Sequence, residues 1–345
     1  MPISLLMMGD VRLTETRHIE QHVLDYFQGI FGVDNTCIHN DLVSRVIPSL
    51  VTDDENVLLT ATPNVDEIKR AMFDLNGDGA PGPDGFGGHF FQHFWDIVSS
   101  DVISSVQEFF YTGSIIPNLN SNLIVLIPKV PSACSMGDFR PIALANFQFK
   151  IVTKILAERL AIISMRIVSP QQSGFVHDRN IYGCVILASE VINLLLTKQF
   201  GGNVAVKVDI RKAFDTMDWN FLLLVLKMFS FHSVFCDWIR DILHFAHLSV
   251  MVNGNIVGFF PCKRGVCQGD PLSPLLFCLA EEVLSRAIEL DRVSGALQPM
   301  PYCRGISLPT HILSADDIFN CCVGTRKNIR CLLRMFNCYS EASGQ

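Results

Sequence analysis

The stretch VAVKVDIRKAFD, residues 204–215, decides how the rest of the chain is read. Val204, Val206 and Val208 alternate with Ala205, Lys207 and Asp209, the period of a strand whose successive side chains leave on opposite faces. The valines therefore turn to a core, and Asp209 leaves from the other face at the strand's end. Downstream, residues 310–323 read as a β hairpin with Asp316-Asp317 at its centre. Phosphoryl transfer with two metals needs carboxylates from separate elements, converging on ions about 4 Å apart. Mg2+ takes oxygen ligands and keeps waters, so two or three carboxylates plus substrate phosphates are enough. A strand-end Asp and a hairpin Asp pair supply the right groups. Neighbours in a regular strand point apart, so Asp316 and Asp317 share a site only if the hairpin turns or bulges there. Asp316 is the expected ligand and Asp317 its support. Carboxylates about 4 Å apart repel by roughly 4 kcal/mol at an effective dielectric near 20, so a cation is expected nearby.

Working outward, Ile19, Val23, Phe27 and Ile30 lie at helical spacing in residues 15–31. A polar, acidic stretch at 51–56 separates this helix from a second one. The second starts at Thr62-Pro63 or Asn64, with Glu67 placed to close a capping box with Asn64, and ends in the glycine- and proline-rich loop NGDGAPGPDGFGG, 76–88. A third helix runs through Phe90, Phe94, Ile97 and Val98. Residues 122–130 are β-like; after a loop holding Asp138 and Arg140, residues 142–168 read as helix. So do residues 184–198, with Val185, Ala188, Val191, Ile192 and Leu195 on one side. Residues 248–260 form a hairpin with Asn253-Gly254 at its tip. A helix follows from about Pro271 to Leu290.

The chain has 345 residues, of which 49% are hydrophobic and 18% charged, enough for two to three subdomains around a sizeable core. No run of about 18 uncharged apolar residues suggests a membrane span. The 12 cysteines include no C-x-x-C pair, and the spacing of Cys322, Cys331 and Cys338 fits no common zinc pattern; buried thiols in a reducing compartment are expected. The net charge of −7 is unevenly spread. Residues 1–90 hold 5 Lys/Arg against 14 Asp/Glu, whereas residues 126–212 hold 11 against 5. Basic charge is concentrated where a nucleic-acid or triphosphate contact would be needed.

Seven segments, in order, carry a resemblance. KVDIRKAFD (207–215), RGVCQGDPLSPLLF (264–277) and SADD (314–317) resemble the central polymerase motifs of reverse transcriptases. GPDGF (82–86), LIPK (126–129), DFRPIALANFQFKIVTKILAERL (138–160) and PQQSGFVHDRNI (170–181) resemble the finger motifs of non-LTR retrotransposons, especially the long interspersed elements of plants. The resemblance implies an α+β, right-hand polymerase fold with helical fingers and an antiparallel-sheet palm, the thumb missing. It divides the chain into an N-terminal helical extension (1–60), a fingers region (61–200), a palm with the carboxylates (201–324) and a truncated palm end (325–345). It implies an RNA-directed DNA polymerase that extends a DNA primer on an RNA template from deoxynucleoside triphosphates, with Mg2+ or Mn2+ held by Asp209, Asp316 and Asp317. Phe214 becomes the candidate gate against the ribonucleotide 2′-hydroxyl. Gln268 and Gly269 match the loop under the incoming nucleotide, and Lys129 and Arg140 match finger residues near the triphosphate. The nucleus is the compartment the family implies.

The resemblance also has departures. Ser314 stands where the family usually has Phe or Tyr, and Gly79 where a Lys is common. Beyond SGQ (343–345) the family would lead one to expect further palm, a primer grip and a thumb. These departures support a second reading, a truncated remnant that binds nucleic acid without turnover. An intron-encoded maturase is a third, for which a dedicated RNA-binding region after the palm would be expected.

Overall fold

The computed structural model describes residues 3–38, 40–195, 201–301 and 309–345. A short hairpin, β1 (Leu6–Met8) and β2 (Val11–Leu13), precedes α1 (Thr16–Phe31). α1 is the expected amphipathic helix, burying Ile19, Val23, Phe27 and Ile30 on one face. After α2 (Leu42–Val46) the acidic stretch at 51–56 proves to open a helix, α3 (Asp53–Thr60), rather than to separate two. Thr52 and Glu55 form a capping box, the Thr52 N–H donating to Glu55 Oε2 at 2.8 Å. Asp53, Asp54 and Glu55 then face the positive end of the helix dipole. α4 (Val65–Asp74) starts as expected, with Asn64 accepting from the Glu67 N–H at 2.9 Å. Glu67 does not return to Asn64. Its carboxylate takes two bonds from the Arg159 guanidinium, at 2.8 and 2.9 Å, and so ties α4 to a later helix.

The expected third helix is two, α5 (Gly88–His93) and α6 (Trp95–Thr112), broken at Phe94. β3 (Ser121–Pro128) is followed by a strand that the sequence reading missed. This strand, β4 (Phe139–Ala145), pairs antiparallel with β3 from Asn122 opposite Ala145 to Pro128 opposite Phe139. Arg140 is therefore a strand residue, and α7 (Phe147–Ile167) begins only after Asn146. Phe139, Ala143 and Ala145 are buried, a strand period that the helical run behind it masked. In α8 (Ile181–Leu195) the expected apolar side is packed only in part, through Val191 and Leu195. Val185 and Ile192 are each 56% exposed, and burial runs through Cys184 and Val191, with Leu187 and Leu194 packed beside them. Residues 196–198 of the expected helix lie outside the described residues.

The second half runs β5 (Asn203–Asp209), α9 (Ala213–Thr216), α10 (Trp219–Met228) and α11 (Ser233–His244). The β6 (His247–Val252)–β7 (Asn255–Pro261) hairpin turns on Asn253 and Gly254, both left-handed, as the sequence predicts. α12 (Ser273–Val293) begins two residues past Pro271, with Pro274 in its first turn. The β8 (His311–Ser314)–β9 (Asp317–Val323) hairpin and α13 (Arg326–Ser343) follow. Among the described residues the strands form the β1-β2 ribbon and two larger sheets. One has the order β4-β3-β6-β7, with β3 and β6 parallel; the other is an antiparallel β5-β9-β8 sheet. The first sheet joins strands from the expected fingers with strands from the expected palm. α12, buried nearly all round from Ser273 to Ile288, is the central post of a core reaching from Leu6 to Tyr339. No helix among the described residues is long and apolar enough to cross a membrane. The eleven cysteines among the described residues are free thiols.

Candidate active site

The β5-β9-β8 sheet brings the aspartates together. β5 ends on Asp209, which stands directly opposite Asp317 on β9. Ser314 also pairs with Asp317, so Ala315 and Asp316 form the two-residue tip of the hairpin. Ala315 takes a left-handed φ of 56°, and this turn lets adjacent aspartates face different ways. Asp209 and Asp316 border a cleft of about 500 Å3; Asp317 does not. Asp317 is instead paired with Lys207, Nζ to Oδ1 at 2.8 Å. Lys207 is the cation the carboxylates were expected to need. Its own proton is held more tightly than usual, first by the hydrogen bond to Asp317 and then by the fields of Asp317, Asp209 and Asp316.

Phe214, Gln268, Arg140 and Lys129 border the same cleft, and Gly269 follows Gln268. Phe214, 9% exposed, forms part of its wall; its ring is stacked on Phe277 with centroids 4.5 Å apart and meets the edge of Phe175. Gln268 lines the cleft with its carbonyl taking the Ala143 N–H of β4 at 2.9 Å. Gly269, at φ 111°, lies so close to β4 that a Cβ would stand 2.8 Å from the Ala143 oxygen. Arg140 and Lys129, from β4 and the β3–β4 connection, also border the cleft. The Lys129 ammonium donates to the Gly137 carbonyl at 3.0 Å.

Sequence reasoning missed several contributors. Tyr26, Phe27 and Ile30 of α1 form part of the cleft wall, and Lys212 lays its ammonium over the Tyr26 ring, 4.4 Å from the centroid. Asp215 is buried at the cleft, and burial pushes its carboxyl up to about 6 against the opposing pull of Lys212 and Lys129. Gln172, 1% exposed, holds the aspartate turn from behind. Its side-chain oxygen accepts from the Ala315 N–H at 3.1 Å and the Gly174 N–H at 2.9 Å. The segment PQQSGF carried this residue in plain view, yet nothing local marks a contact made across 143 positions.

Two carboxylates on one cleft, Asp209 exposed and Asp316 half-buried, are hard oxygen donors of the kind Mg2+ prefers. Among the described residues no three His, Cys, Asp or Glu side chains gather closely enough to cage an ion unaided. The fit is to an ion that also takes oxygens from water and substrate.

Beneath this site lies Glu281 of α12, 1% exposed, taking a bond from the Tyr339 hydroxyl at 2.7 Å while its Oε2 has no partner. Burial pushes its carboxyl up to about 8; Asp316 and Glu282 add to the push, and the Tyr339 bond opposes it. A raised folded-state pKa contributes stability that is complete below the ordinary value near 4.5 and is lost as pH climbs to about 8. Glu281→Gln should remove that slope, at most about 1.4 kcal/mol per pH unit. Melting temperatures of the two proteins should therefore diverge in favour of the variant between pH 5 and 8. A constant difference across that range would show that Glu281 does not titrate there.

Residues 127–344 match the model of the family described as reverse transcriptase (RNA-dependent DNA polymerase). The chain is 28% identical over 273 residues to the Transposon TX1 uncharacterized 149 kDa protein of Xenopus laevis, covering 78% of this chain and 21% of that protein. It is 28% identical over 212 residues to the retrovirus-related Pol polyprotein from type-2 retrotransposable element R2DM of Drosophila melanogaster, covering 61% of this chain and 19% of that one. A short uncharacterized mitochondrial protein of Arabidopsis thaliana, AtMg01250, is 38% identical over 76 residues, or 22% of this chain and 62% of its own length. The chain thus spans about a fifth of the length of the two Pol-type and transposon relatives. It belongs to the reverse transcriptase (RNA-dependent DNA polymerase) family and is homologous to the Pol proteins of non-LTR retrotransposons.

Proposed function

We propose that this chain is an RNA-directed DNA polymerase that adds deoxynucleotides to a DNA primer on an RNA template. One observation carries the reading: Asp209 and Asp316, far apart in sequence, border the same cleft as Phe214, Gln268, Lys129 and Arg140. Within the family we assign the chain to plant elements on the wording of its motifs. We read the β5-β9-β8 sheet as the palm and the helices and β3–β4 hairpin before it as the fingers. Asp209 and Asp316 are the residues to hold Mg2+, or Mn2+ in its place, with Asp317 beside them. Bound there, the ions would ease deprotonation of the primer 3′-hydroxyl and offset the charge of the leaving pyrophosphate. Arg140 and Lys129 would take the triphosphate, the guanidinium by two parallel bonds. Gln268 and Gly269 would support the incoming nucleotide, whose sugar would rest against Phe214.

Primer extension on an oligo-primed RNA template tests the reading, with Asp209→Asn as the control. Incorporation that is lost in the variant supports it. Salt-dependent RNA binding without incorporation by either protein would establish the nucleic-acid-binding remnant instead. The gate has its own test. Phe214→Val removes the ring that would meet a 2′-hydroxyl, so ribonucleotide use relative to deoxynucleotide should rise by roughly 10- to 100-fold. Unchanged discrimination in a variant that still folds and polymerises would return Phe214 to the core, where its stack on Phe277 already gives it a place.

A further inference from the structure

Three aspartates crowd the end of the small sheet, but among the described residues a single ammonium is paired with one of them. Lys207 and Asp209 stand two apart on β5 and so share a face of the sheet. Across from them, Asp317 is the register partner of Asp209, and Phe319 that of Lys207. Lys207 therefore reaches Asp317 diagonally, closing the 2.8 Å pair along the strand surface and away from the turn. Asp316 sits at the tip of the turn, on the cleft with Asp209, while Asp317 is not part of the cleft wall. Among the described residues, Lys129, Arg140, Arg211 and Lys212 also border the cleft. Lys212 lies over Tyr26 and Lys129 donates to Gly137.

We propose that Lys207 is a positioning residue that ties Asp317 to β5 and keeps it out of the metal-ligand set, leaving Asp209 and Asp316 to receive the divalent ion. This rests on the polymerase reading above for the presence of that ion. A carboxylate opposite Asp209, if released, is close enough to compete for an ion at Asp209. The tether thus sets how many protein oxygens the ion meets and how many positions stay open for water and substrate.

The test is Mn2+ binding to the whole chain without nucleic acid, followed by electron paramagnetic resonance for affinity and by water-proton relaxation for the number of bound waters. Lys207→Met keeps most of the side chain's length and removes the charge. It should tighten Mn2+ binding by roughly 3- to 10-fold and lower the count of Mn2+-bound waters by one. Lys207→Arg, which can still pair with Asp317, should match the wild type in both. A tighter affinity with an unchanged water count would mean that Lys207 acts only through its field, and would overturn the positioning role. So would unchanged affinity in Lys207→Met while Asp209→Asn abolishes binding; the metal reading would then survive alone. Mn2+ binding indifferent to Asp209→Asn would overturn both.

Discussion

Asp316→Asn is expected to lower RNA-templated incorporation by about 100- to 1,000-fold, and Asp317→Asn by less than about 10-fold, although the two residues are adjacent. The range for Asp316 is that of losing one preorganised group aimed at charge developing in a transition state. Asn keeps the shape of the side chain, so the hairpin should survive both changes. The difference comes from the turn. Ala315 and Asp316 form its tip, and the left-handed Ala315 swings Asp316 onto the cleft beside Asp209. Asp317 is already a strand residue, opposite Asp209 and paired along the strand surface with Lys207, and its side chain is 52% exposed. Losing an exposed pair of this kind costs little in stability. Single-turnover primer extension separates the outcomes, because it reads the chemical step without product release. Equal losses in the two variants would place both carboxylates in the reacting site and would contradict the assignment of Asp317 to a supporting role.

That asymmetry was visible in the sequence only as a condition. The alternation in Val204–Asp209 gave the strand, although its valines are only half-buried, and strand geometry required a turn between the two aspartates if they were to act at one site. Local signals of this kind succeeded elsewhere too. The Asn253-Gly254 tip and the stripe on α1 came out as read, because each depends on residues within a few positions of one another. The misreadings have physical causes. The acidic run that opens α3 reads as a separator on polarity alone, although Thr52 and Glu55 spell a helix start. β4 was absorbed into the helix behind it because its pairing with β3 is a tertiary fact that a period of five or six residues does not announce. α8 is apolar on several sides, so its sequence could not say which side meets the small sheet. Gln172 and Tyr26 escaped for the strongest reason. Their roles exist only across long stretches of chain, one behind the aspartate turn and one under the Lys212 ammonium.

Gly265→Ala is expected to cost about 3 kcal/mol or more of stability, and to impair polymerisation in whatever protein remains folded. The sequence marks this glycine only as part of RGVCQG. The structure gives it two separate reasons. Its φ of 78° is left-handed, which for a residue with a Cβ costs about 1–2 kcal/mol by itself. An added Cβ would also stand 2.5 Å from the Asp215 carbonyl oxygen and 2.9 Å from that of Phe214. Both obstacles are backbone, so no side chain can rotate away to make room. Nor can the glycine's own segment retreat. Its N–H donates to the Met217 carbonyl at 2.8 Å, its carbonyl takes the Trp219 indole N–H at 2.7 Å, and the next N–H, of Val266, donates to Phe214 at 2.7 Å. These bonds press the residues before Gln268 against those after Asp209, so relieving the clash means parting two walls of the cleft. Gly254→Ala separates the two reasons. Gly254 has φ 88° in the β6–β7 turn and open space around it, so it should lose only the conformational part. Denaturant unfolding of both variants decides the matter: a Gly265→Ala protein no less stable than Gly254→Ala would mean that the cleft walls can part at little cost, and that the site is not held by this backbone contact.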